Sequence, residues 1–251
     1  MSVETTRNAG RCAVTEPLVL LPGFMCDARL WGAQIEALSP SVSILMPSLG
    51  AADNVEEMAG AVLGMAPKRF ALAGHSLGAA VAMEILRRAP DRVSRIALMS
   101  TTCLAETPSY AADRETRIAR VRAGRLDTVM QDEVPKFSLA PGPMRDQVAE
   151  FIVDMARAMG TEAYIRQSRA MQRRPDQQAT LRRARLPALV ICGEHDELVL
   201  PRRHEFMAEL MPRARLVKTT AGHLPSVEAP QAVNKALADW MARETEPLLL
   251  K

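Results

Sequence analysis

The sequence predicts an α/β fold: a doubly wound, mostly parallel sheet of about six strands with helices on both faces, and a helical cap inserted before the strand bearing an acidic loop. Three observations carry this. Six short apolar runs recur: "PLVLLP" (17–22), "VSILMP" (42–47), "RFALAG" (69–74), "RIALMS" (95–100), "ALVICG" (188–193) and "RLVK" (215–218). They are near-continuously apolar rather than alternating, as parallel strands covered on both faces are. Helix-length segments at 29–38, 54–65, 77–89, 201–211 and 226–243 separate or follow them, and such alternation argues for βα winding. The third observation is an interruption. Residues 104–186 hold no strand-like run, only helical patterns near 110–124, 143–159 and 161–174.

The chain therefore divides into a core of residues 1–103 and 187–251 and a cap of residues 104–186. The insert follows a strand's C-terminal end, where open α/β sheets bind their ligands. Within 143–159, Met144, Val148, Phe151, Ile152, Met155 and Met159 fall on one helical face, the stripe a cap lays on its core.

Composition bounds the function classes. At 251 residues and 48% hydrophobic content, the chain has enough material for one large core. A net charge of +3 with no basic run interleaved by aromatics predicts no nucleic-acid binding. The N-terminal "MSVETTRNAG" is polar, so no secretory signal is expected, and no stretch is apolar enough to span a membrane. Cys12, Cys26, Cys103 and Cys192 are scattered, with no C-x-x-C pair, which predicts free thiols and a cytoplasmic protein. The histidines sit in unrelated elements and no phosphate-binding glycine loop occurs, so neither metal nor cofactor is expected. The expected partner is a small-molecule substrate, and the expected state a monomer or homodimer.

Chemistry concentrates in "LAGHSLGAAVAMEIL" (72–86), where one serine stands between two glycines at a strand-to-helix junction. Such an elbow forces its central residue into a strained backbone conformation. Gly74 and Gly78 remove side chains that would collide there, and Ala79 and Ala80 keep the helix start slim. Ser76 is then held above the sheet at a helix N-terminus, where negative charge is favoured. A serine serving only as an N-cap would not need both glycines.

A serine hydroxyl needs a base to become a nucleophile. His75 adjoins Ser76 and points the wrong way, His195 directly follows a strand, and His204 lies within a helix. His223 sits in a loop after the last strand, in "TTAGHLPSVEAP", at the same sheet end as Ser76. It is the predicted base. The base needs a carboxylate to set its tautomer, and "ALVICGEHDELVLP" offers Glu194, Asp196 and Glu197. Asp196 is far enough past Gly193 to turn toward the neighbouring loop, whereas Glu194 and Glu197 are expected to face solvent. An oxyanion needs two donors: the Leu77 N–H, just after the serine, and the Phe24 N–H, in the loop opened by Gly23.

With these residues in place the chain resembles the α/β-hydrolase superfamily. The likeness is carried by "LLPGFMCDARLW", "LAGHSLGAAVAMEILRRAPDRVSRIALMSTT", "VICGEHDELVLPRR" and "AGHLPSVEAPQAVNKAL", with the nucleophile, acid and base in that fold's chain order. The closing "GHLPSVEAP" resembles the small esterase and 3-oxoadipate enol-lactonase group. Three departures stand out: Pro22-Gly23 in place of His-Gly, Ala79 in place of a second glycine, and only 16 residues before the first strand. The last predicts about six parallel strands with an irregular edge and no antiparallel hairpin.

The resemblance implies a serine hydrolase that cleaves a small carboxylic ester or lactone through an acyl-enzyme on Ser76. The alternatives are a same-fold lyase, C–C hydrolase or thioesterase using the same triad, or a ligand-binding receptor with slow turnover. The cap carries fifteen Lys/Arg against eleven Asp/Glu, and a helical projection puts Arg114, Arg122 and Arg125 near its apolar face. Such arginines bind a substrate carboxylate or lay their stems on the cap with the charge in water, the second being the commoner arrangement.

Overall fold

A computed structural model describes residues 16–137 and 139–245. The polar N-terminal stretch and Cys12 lie outside the described residues. Six strands form one all-parallel sheet: β1 (Leu18–Leu21), β2 (Ile44–Leu45), β3 (Phe70–His75), β4 (Val93–Met99), β5 (Ala188–Gly193) and β6 (Ala214–Thr219). Their order is β2-β1-β3-β4-β5-β6, so the doubly wound parallel sheet expected from the apolar runs is present. The run at 42–47 yields only two paired residues, Ile44 and Leu45, against β1. They form an edge strand that is half-buried rather than buried.

The strands alternate between two cores even though their sequences do not alternate. On one face Leu18, Leu20, Ala71, Ala73, Leu189 and Ile191 join a cluster with Leu38 of helix α1 (Gly32–Leu38). On the other, Val19, Leu21, Phe70, Leu72, Ile96 and Val190 pack with helices α2 (Val55–Met65) and α3 (Leu77–Arg88). Burial on both faces is why the runs are apolar throughout.

Four helices fill the interval between β4 and β5: α4 (Pro108–Arg122), α5 (Leu126–Phe137), α6 (Arg145–Arg173) and α7 (Gln178–Arg183). The helical patterns at 143–159 and 161–174 are two helices that meet at a kink at Gly160, whose φ of 81° and ψ of 173° are not helical. Only glycine adopts that conformation without steric cost. Helices α5 and α7 went unmarked in the sequence, where short amphipathic turns give little periodic signal. The predicted stripe at 143–159 packs through Val148, Ile152 and Met155, but Met144 is exposed. The insert's Ile118, Val121, Val129, Met130 and Ile152 belong to the same cluster as Leu18 and Leu20, so it shares a core with the sheet.

The chain closes with α8 (Pro201–Leu210), α9 (Pro225–Glu228) and α10 (Pro230–Met241). The single helix expected over 226–243 is thus two, divided at Ala229, whose φ of −136° and ψ of 56° precede Pro230. The residue before a proline is disfavoured in the helical region. Arg95 ties α10 to the sheet, donating from Nη1 to the carbonyls of Trp240 and Arg243 and from Nε to Glu16. No helix among the described residues is long and apolar enough to cross a membrane.

Backbone packs tightly at the start of α3. A Cβ on Gly74 would overlap the Gly78 carbonyl, and one on Gly78 would overlap the backbone carbonyls of Leu21 and Pro22. Neither obstacle is a flexible side chain. Gly78→Ala is therefore expected to destabilise the fold by at least ~1–3 kcal/mol, the cost of overpacking a dense core. Gly64→Ala, where a Cβ meets nothing within 4 Å, is expected to leave stability unchanged or slightly raised. Urea unfolding of both variants measures the contrast.

Candidate active site

Ser76 sits between β3 and α3 with φ 49° and ψ −109°. A non-glycine residue at positive φ costs of order 1–3 kcal/mol and persists only where its surroundings enforce it. Here the enforcement is visible. The Ser76 N–H donates to the Met99 carbonyl of β4 at 2.9 Å, and its own carbonyl accepts from Ala79, Ala80 and the Thr101 hydroxyl. Its hydroxyl makes no capping hydrogen bond to α3. Ser76 holds the N-cap position without capping through its hydroxyl, and it lines a cavity of about 470 Å³ with Phe24, His75 and His223.

The loops after β5 and β6 are brought together by backbone contact. Gly193 lies so close to the carbonyls of Ala221 and Gly222 that no side chain fits between them. The N–H groups of Glu194 and His195 donate to Thr219 and Ala221 at 2.8 and 3.0 Å. This pairing sets Asp196 beside His223, with Oδ2 2.8 Å from Nδ1. Both are buried, at 1% and 6% exposure. The other Asp196 oxygen accepts from the N–H groups of Leu198 and Val199 at 3.0 and 2.8 Å. Burial pushes the Asp196 pKa up, but the His223 ring, its hydrogen bond and the Val199 N–H outweigh it, and the carboxyl is held below its ordinary value. An ionised Asp196 accepts the proton on Nδ1, which in a neutral imidazole leaves the lone pair on Nε2. Glu194, His195 and Glu197 are exposed.

Leu77 is the first residue of α3, where a backbone N–H has no preceding turn of helix to bond. Phe24 occupies a tight turn closed by the Cys26 N–H on the Gly23 carbonyl, with Met25 at φ 51°. Gly23 was expected to let the backbone approach a ligand, but the space its side chain would fill is taken by His75 Nδ1. The glycine admits a histidine ring. Cys26 also lines the cavity, but burial, then Asp27, pushes its thiol up to about 12, so it stays protonated. Cys103 and Cys192 are likewise free and buried. Among the described residues no three His, Cys, Asp or Glu side chains are grouped to hold a metal ion.

Four supporting residues were not singled out in the sequence for what they do. Glu228 accepts from the N–H groups of Gly222 and Leu224, gripping the backbone on both sides of His223. Gln167 of α6 accepts from the Met25 N–H at 2.7 Å and so holds the Phe24 turn. His75 donates from Nε2 to the His223 carbonyl at 2.7 Å, its ring edge-on to His223 at 5.1 Å. His204 accepts from the Thr101 N–H at 3.0 Å. The signal for Glu228 was its place five residues after His223. The other three act across more than 90 residues of chain, beyond the reach of any local pattern.

Of the three cap arginines, only Arg114 reaches the cavity. Arg122 and Arg125 are exposed; α4 ends at Arg122, so the projection does not reach Arg125.

Burial pulls the pKa of His75 down to about 3, helped by the His223 ring, and that of His204 down to about 4, against the pull of Asp196. Both rings stay neutral in the folded protein while the unfolded chain takes up protons below its ordinary value of 6.5. Stability is therefore full above that pH and falls on acidification, until the folded protein itself protonates near 4 for His204 and near 3 for His75. Each ring contributes a slope of up to about 1.4 kcal/mol per pH unit. Denaturation between pH 7 and 5 is expected to show this loss, with a shallower slope in His75→Gln.

Comparison with known proteins identifies the family. Residues 18–236 match the alpha/beta hydrolase family. The chain is 24% identical over 244 residues to a pimeloyl-[acyl-carrier protein] methyl ester esterase of Nitrosomonas europaea, covering 91% of this chain and 94% of that protein. A thermophilic esterase from Thermogutta terrifontis, solved with malate bound, superposes with a TM-score of 0.81 at 27% identity, covering 90% and 89% of the two chains. The enol-lactonase from Burkholderia xenovorans LB400 superposes with a TM-score of 0.82 at 24% identity, covering 91% and 92%, a likeness of fold. With its parallel sheet, its strained serine turn and a family match running from β1 into α10, this chain belongs to the alpha/beta hydrolase family.

Proposed function

We propose that this protein is a serine hydrolase that cleaves a small carboxylic ester or lactone through an acyl-enzyme on Ser76. The observation that carries the reading is the buried Asp196–His223 pair, 2.8 Å apart, sharing a cavity wall with a serine whose hydroxyl is not used as a cap. The esterase relatives support the substrate class.

Ser76 Oγ attacks the carbonyl carbon as His223 Nε2 takes its proton. The imidazolium is stabilised by Asp196, which remains ionised. The carbonyl oxygen becomes an oxyanion held by the N–H groups of Leu77 and Phe24, in a site that needs no reorganisation as charge develops. The tetrahedral intermediate collapses, and the alkoxide leaves with the proton from Nε2. Water then repeats the sequence on the acyl-enzyme, giving its proton to Nε2 and releasing the acid and Ser76. In a lactone the leaving alcohol is part of the acyl group, so nothing departs in the first step and the second releases one hydroxy acid. The insert, lying over the site as a cap, limits the size of the substrate.

Ser76→Ala is expected to abolish ester hydrolysis and labelling by a fluorophosphonate while keeping the fold, since alanine suits the same turn. His223→Ala is expected to do nearly the same damage, and the double variant no more, because the members act as a unit. Asp196→Asn is expected to lower kcat by up to ~10⁴, the amide favouring the wrong histidine tautomer. Glu197→Gln is expected to be mild. A labelled Ser76→Ala protein, or a Glu197 effect exceeding that of Asp196, contradicts the assignment.

A further inference from the structure

The cavity above Ser76 has a charge imbalance in its wall. Glu106, 5% exposed, accepts at Oε2 from Arg114 Nε at 2.9 Å and from Arg174 Nη1 at 3.0 Å. Two guanidinium groups thus share one carboxylate, and both are well buried, with side-chain exposures of 14% and 9%. Arg174 donates besides from Nε to the Leu104 carbonyl and from Nη1 to the Met171 carbonyl. Arg114 does not. Among the described residues its only hydrogen bond uses Nε, which leaves the planar Nη1 and Nη2 groups uncommitted. Of the other acids on the cavity wall, Asp132 is taken by Arg120 at 2.6 Å and Glu197 is exposed.

The position of Arg114 is set from two sides. Glu106 holds Nε, and Cζ lies 5.4 Å from the centre of the Phe24 ring, which itself packs edge-on against Tyr164. Phe24 also bears a backbone N–H assigned above to the oxyanion. The uncommitted donors of Arg114 are therefore tethered to the residue that meets the scissile carbonyl. A buried positive charge in surplus, with two parallel donors free, matches a carboxylate rather than a neutral group.

We infer that Arg114, oriented by Glu106 and Phe24, forms a subsite for a carboxylate on the substrate, so that the preferred ester or lactone carries a free acid a short chain from the scissile carbonyl. This rests on the hydrolase reading for the word substrate, but the anion subsite itself does not depend on catalysis. Carboxylate binding contributes mainly to KM and to orientation of the carbonyl over Ser76.

The test uses monomethyl glutarate and its terminal amide, which differ only in the remote acid. The kcat/KM ratio of acid to amide is expected to exceed one in the wild type, to fall roughly tenfold to a hundredfold in Arg114→Gln, the worth of a charged hydrogen-bonded pair, and to stay unchanged in Arg122→Gln. Free glutarate titrated calorimetrically into Ser76→Ala is expected to bind, and not to bind Ser76→Ala/Arg114→Gln. A ratio of one in the wild type, or a preference retained in Arg114→Gln, overturns the subsite while leaving the hydrolase reading intact. Glutarate binding that depends on Arg114 in a protein hydrolysing neither ester supports the subsite and removes the hydrolase reading instead.

Discussion

Packing of the N-terminus of α3 directly onto the backbone of β1 and β3 is what places Ser76 at φ 49° and holds it there. With a side chain at position 74 or 78, helix and strands would separate, and the serine could relax into an ordinary capping conformation. The same device recurs at the other half of the site. Gly193 lets the ends of β5 and β6 meet so closely that the loops beyond them share backbone hydrogen bonds, and Asp196 and His223 are consequences of that meeting. The side chains that face the substrate are few; glycines at the strand ends set their positions.

Around this frame the protein spends buried polar groups on backbone. Glu228 grips the peptide groups flanking His223, His75 donates to its carbonyl, His204 holds Thr101, and Thr101 holds the Ser76 carbonyl. Such contacts fix loops that would otherwise sample many conformations, and geometry within about half an ångström is what nucleophilic chemistry demands. The neutral histidines link this rigidity to pH. Their burial is tolerable only while the imidazoles remain uncharged, so the machinery that steadies the site also makes it sensitive to acid.

Much of this was legible in the sequence, for a physical reason. Strands buried on both faces must be apolar throughout, so the six runs stood out, and Gly-x-Ser-x-Gly at a strand-to-helix boundary has few steric explanations. Ser76, Asp196 and His223 could be ordered because each follows a strand at the same end of the sheet. Other features were hidden. The short β2 edge and the break at Ala229 depend on local backbone angles that composition only weakly marks. Gln167 and His204 serve partners far away in the chain. The projection that grouped Arg114 with Arg122 and Arg125 carried the helix past its real end to Arg125, and of the three only Arg114 lines the cavity. Its pairing with Glu106 and its seat over Phe24 could be seen only once the insert was folded onto the sheet.

The account turns on whether Ser76 forms a covalent acyl intermediate that His223 and Asp196 serve. Rapid mixing with an activated ester of slow-deacylating acid, quenched in acid and mapped by peptide mass spectrometry, reads this directly. The account predicts a burst of one alcohol per protein molecule and an acyl group on the peptide carrying Ser76. Turnover of the same ester with no burst and no modified peptide would contradict it, and would mean that the pair acts on water or on a substrate proton instead.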